Sequence, residues 1–84
     1  MLRRAALLHR LPAGKLIDIL ATLEEPPAIL TASDRRIVLA CRSYLRMAEK
    51  VNPQHPVLIA FADLLVARGV LTAAEHSAFT AESV

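Results

Sequence analysis

Cysteine, glycine and aromatic residues are all scarce in this chain, and each scarcity removes a class of function. Cys41 is the only cysteine among 84 residues, so no disulfide can form within the chain. His9, His55 and His76 are the only histidines. They show no His-x-x-x-His or His-x-x-Glu spacing, so no metal site is expected. The two glycines, Gly14 and Gly69, cannot build a phosphate-cradling loop or a Gly-x-Ser-x-Gly elbow. There is no tryptophan, and Tyr44, Phe61 and Phe79 offer no obvious platform for stacking bases. Hydrophobic runs are short as well. The longest stretch without a charged residue, Val51 to Ala62, covers 12 residues, against the ~20 a membrane-spanning helix needs.

Apolar residues are abundant. They make up 55% of the chain, and the mean hydropathy is +0.42. A single domain of this size buries a modest share of its surface. Apolar excess in such a chain points to surface buried against another copy or a partner. The formal charge is +2 and unevenly spread. Residues 1–17 carry Arg3, Arg4, Arg10 and Lys15 and no acid. "MLRRAALLHRL" is therefore open to three readings: an organellar address label, a loose basic arm over residues 1–11, or a short helix.

The pattern is helical throughout, with no period-2 alternation and no Asn-Gly or Asp-Gly turn. A weak first helix is expected over Leu2–His9. Pro12 suits the first position of the next, where its missing N–H costs nothing. Leu16, Ile19, Leu20 and Leu23 then form one apolar stripe, and Pro26-Pro27 ends it. Thr31 or Ser33 can cap a third helix running to about Val51, with Asp34 in its first turn. Ile37, Ala40, Cys41, Tyr44, Ala48 and Val51 share its apolar face. Arg35, Arg42, Arg46 and Lys50 share the opposite one, with Leu39 among them.

"NPQHP" interrupts the chain before the most hydrophobic segment, Pro56 to Arg68, which is apolar on nearly every side. Such a helix wants burial all round. It is either the centre of the fold or the element that meets a partner. Gly69 should end it in the left-handed conformation, and Thr72 with Glu75 forms a capping box for the last helix. "LTASD" at 30–34 echoes "LTAAE" at 71–75. Both internal duplication and shared capping chemistry account for that echo. Residues 64–75, "LLVARGVLTAAE", resemble the Gly-x-Leu-Thr-x-x-Glu helix corner of short helical oligomerisation modules and of nitrile-hydratase-like chains. The resemblance covers a helix stop and start and implies no functional residue.

These features predict an all-α protein: one domain over residues 1–84, a small bundle of four helices from two helical hairpins, with a fifth at the N-terminus as the alternative. No catalytic set stands out. Glu75 and His76 are adjacent and diverge by about 100° on a helix, and Cys41 lies on an apolar face. The expectation is a cytoplasmic, non-enzymatic protein-binding module of accessory, adaptor or inhibitor type, without cofactor or metal. It would self-associate as a homodimer or dock on a larger protein through Leu58, Phe61, Leu65 and Leu39. The alternative is a DNA-binding regulator using the basic face of Arg35, Arg42, Arg46 and Lys50.

Overall fold

Five helices form in the computed structural model, which describes residues 1–82. They are α1 (Arg4–Leu8), α2 (Ala13–Glu24), α3 (Ala32–Met47), α4 (Pro56–Ala67) and α5 (Ala73–Phe79). Two short extended segments, β1 (Leu2–Arg3) and β2 (Lys50–Val51), pair antiparallel with Leu2 opposite Val51. The architecture is a small all-α bundle. α2 packs on α3 as one hairpin, α4 packs on α5 as a second, and the α3–α4 seam joins them.

Three of these helices, α3, α4 and α5, start at a residue whose side chain caps them. Thr31 accepts a hydrogen bond from the Asp34 N–H, and Thr72 accepts one from the Glu75 N–H. The two "LTA" stretches thus do the same local job, satisfying an N–H that lacks a helical partner. His55 begins α4 in the same way, its Nδ1 accepting from the Val57 N–H at 3.1 Å. That bond leaves the neutral ring's proton on Nε2. The ring stacks on Tyr44, with centroids 4.3 Å apart. The Tyr44 hydroxyl in turn accepts from the Asn52 N–H, so α3 holds the loop that launches α4.

Helix ends show what glycine scarcity costs. α4 ends at Gly69, whose φ of +77° is left-handed. Val70 N–H donates to the Leu65 carbonyl and Gly69 N–H to the Val66 carbonyl, the double closure of a Schellman turn. No other described residue has positive φ. The ends of α2, α3 and α5 instead receive arginines from elsewhere in the chain. Arg42 donates to the Glu24 carbonyl, Arg4 to the Leu45 carbonyl, and Arg10 to the Phe79 and Ala81 carbonyls. A guanidinium there satisfies orphan carbonyls and complements the negative end of the helix dipole.

The expected helix to Val51 stops at Met47 instead. Ala48 turns extended (φ −93°, ψ 120°), and the next residues pair with the N-terminal segment. Val51 is still fully buried, but from a strand rather than a helix. The N-terminal segment is a short helix integrated into the fold. Leu7 is fully buried, Leu11 nearly so, and two of its arginines close helices. None of the described helices is long and apolar enough to cross a membrane.

Candidate functional site

α4 is the central helix of the monomer. Leu58, Phe61 and Leu65 are 0%, 1% and 3% exposed. The expected docking surface at these three residues is therefore corrected: they form the protein's own core. α3 and α5 pack against the helix, so its all-round apolarity is met largely inside one chain. Leu39, also expected at an interface, is partly exposed on the outer face of α3.

The basic face is corrected at one residue. Lys50 lies on β2, off the helix that carries the three arginines. Arg35 reaches toward the Pro27 carbonyl at 3.4 Å, Arg42 donates to the Glu24 carbonyl at 3.0 Å, and Arg46 pairs with the Glu24 carboxylate at 2.7 Å. The stripe grips the end of α2 and the loop after it rather than standing free in solvent.

That grip builds a groove. On α1, Leu7 enters the core, and its neighbour Leu8, about 100° further round, faces the space between α1, α2 and α3. On α2, Ile19 and Leu23 are buried, while Leu20 and Glu24, one turn apart, line the space. On α3, Val38, Cys41 and Leu45 are buried, and Arg42 and Arg46 rise beside them one turn apart. The result is a half-open cavity of about 330 Å³. Leu8, Leu20, Leu23 and Leu45 make its apolar floor and walls, and Arg4, Arg42, Arg46 and Glu24 make its rim. Leu20 is 37% exposed and Ile17, one turn earlier on the same side of α2, is 77% exposed. An apolar strip therefore leads out of the groove along α2.

Comparison with protein-family models, with curated proteins and with solved structures finds no match for the chain.

The residues that raise the question of catalysis have other engagements. A single Glu75 oxygen, Oε1, accepts from Lys15 Nζ at 2.6 Å and from the Thr72 N–H at 2.8 Å. The lysine bond first, and the backbone bond next, hold its carboxyl below the ordinary value. His76 Nε2 lies 2.7 Å from Asp63 Oδ1 and ties α5 to α4. Cys41 is fully buried, and burial pushes its thiol up to about 12. A thiol held protonated is a poor nucleophile. No cluster of three or more His, Cys, Asp or Glu side chains placed to hold a metal ion occurs among the described residues.

The groove was hard to foresee. Its floor residue Leu20 lies on a stripe that reads as core. Arg4 joins Arg42 and Arg46 only because the fold brings α1 to the C-terminal end of α3, where Arg4 donates to the Leu45 carbonyl. The i, i+4 spacing of Arg42 and Arg46 was the one available signal.

Proposed function

We propose that this protein is a small, non-enzymatic protein-binding module that docks a segment of a partner protein in the groove between α1, α2 and α3. The observation that carries the reading is the groove's make-up: an open apolar floor of leucines beside arginines already held in place. Partner-binding surfaces combine apolar anchor sites with arginine, and preorganised side chains lose less entropy on binding. At about 330 Å³, the space is at the small end for an enclosed ligand. It suits one or two side chains presented from a partner. The accessory, adaptor or inhibitor role belongs to this reading, as does a cytoplasmic setting, with which a lone buried thiol agrees.

The test uses a photo-reactive amino acid at position 20 of the full chain, in its native host, with position 78 on the exposed side of α5 as control. A discrete protein adduct from position 20, absent from position 78, is expected. The purified adduct partner should bind the wild-type chain and lose about tenfold or more affinity for Leu20→Asp, a change of over a kcal/mol. Leu20 is exposed enough for that substitution to leave the helical spectrum intact. Equal adducts from both positions, or unchanged binding to Leu20→Asp, would overturn the reading.

A further inference from the structure

We infer that the segment taken by the groove is an acidic amphipathic helix, a conclusion that rests on the docking reading above. The rim carries Arg4, Arg42 and Arg46 against the single carboxylate of Glu24, a local balance of 3 − 1 = +2. Each guanidinium spends little of its capacity on the protein itself. Arg4 donates through Nη1 to the Leu45 carbonyl, Arg42 through Nη1 to the Glu24 carbonyl, and Arg46 through Nη2 to the Glu24 carboxylate. An arginine has five N–H donors in a fixed fork, so each keeps further donors for an incoming group. These arginines are anchored at one edge and poised at the other. A carboxylate matches that fork and can be held by two parallel bonds.

Spacing selects a helix. Arg42 and Arg46 stand one turn apart on α3, so two carboxylates one turn apart on a partner helix meet them in register. The leucines that line the same groove offer a seat for an apolar side chain on the same face of that helix. Ile17 and Leu20 extend the apolar track to its next turn. A partner with lysine or arginine at the rim positions would meet like charge beside an apolar floor and be rejected.

The same features disfavour nucleic acid. Phosphates would want a continuous basic track, yet Lys50 lies off the helix. Bases would want exposed rings, yet Phe61 and Phe79 are 1% exposed and Tyr44 is stacked on His55.

A displayed library of roughly four-turn amphipathic helices, with fixed leucines on one face and randomised neighbours, tests the inference on the immobilised full-length chain. Asp and Glu should be enriched over Lys and Arg at the positions flanking the leucines. The selected peptides should bind about tenfold or more weakly to the double variant Arg42→Gln, Arg46→Gln, and their affinity should fall as salt rises. Neutral or basic enrichment, unchanged affinity for the double variant, or displacement of the peptides by a mixed-sequence DNA duplex would overturn it. Neutral peptides that still lose binding to Leu20→Asp would overturn the acidic partner alone and leave the docking reading standing. Peptides indifferent to Leu20→Asp would overturn both.

Discussion

Thr72 and Glu75 hold each other's backbone N–H groups, and Lys15 reaches across from α2 to the same carboxylate oxygen. The corner after Gly69 is thereby both a helix start and a clasp between the chain's first and last thirds. Removing the Thr72 hydroxyl leaves the Glu75 N–H without its acceptor. Thr72→Ala should cost about 1 kcal/mol, read from chemical denaturation, and leave peptide binding at the groove unchanged. The clasp also carries a pH signature. Glu75 in the folded chain sits below its ordinary value of 4.5, chiefly through Lys15. A carboxyl depressed on folding stabilises above its unfolded value, and that contribution is lost as pH falls through the folded value. Lys15→Gln should therefore lower stability at neutral pH. The gap to wild type should close in the acid range below 4.5, as followed by denaturation midpoints across pH. A constant gap at all pH values would assign Lys15's role to packing of its stem.

The starts of α3 and α5 were legible because they are local. Thr31 and Thr72 act within three residues of themselves, and Gly69 announces the one left-handed stop among the described residues. What was not legible depends on contacts far apart in the chain. β1 and β2 are two residues each, too short for any alternation to register, and they exist because the N-terminal segment lies beside the exit of α3. The apolar α4 reads equally as a centre or as a docking face, and only the packing of α3 and α5 upon it decides. The groove depends on the same long-range placement of α1, with Arg4 bonded to Leu45 across 41 residues. Residues 1–11 are thus part of the bundle, and a prediction follows for α1. Leu7 is fully buried although it belongs to a helix of five residues. Leu7→Ala should destabilise the whole protein by about 2–5 kcal/mol, as a core leucine does, in one cooperative transition. Loss of less than about 1 kcal/mol, within the range of surface substitutions and terminal fraying, would mean that α1 is an appendage.

As a whole, most of the molecule's larger apolar side chains enter or pack against one core that runs from Leu7 to Phe79. Several others, among them Ile17 and Leu20, stay in contact with water, and Leu20 does so beside the arginines of the groove. A chain this short has little stability in reserve, so a ligand that binds only the folded form should have a large thermal effect. At a concentration about 100 times its dissociation constant, such a ligand adds about 2.7 kcal/mol. For a domain of 60–100 residues each kcal/mol moves the melting temperature by roughly 4–8 °C. An acidic amphipathic peptide selected on the groove should therefore raise the Tm of the wild-type chain by about 10 °C or more at that ratio. At the same peptide concentration the Arg42→Gln, Arg46→Gln double variant, with about tenfold weaker affinity, should gain only about half as much. Circular dichroism melts with and without peptide make the comparison directly. An equal Tm gain in both proteins would show that the peptide is held by apolar contact alone, and that the arginines serve only to close α2 and α3.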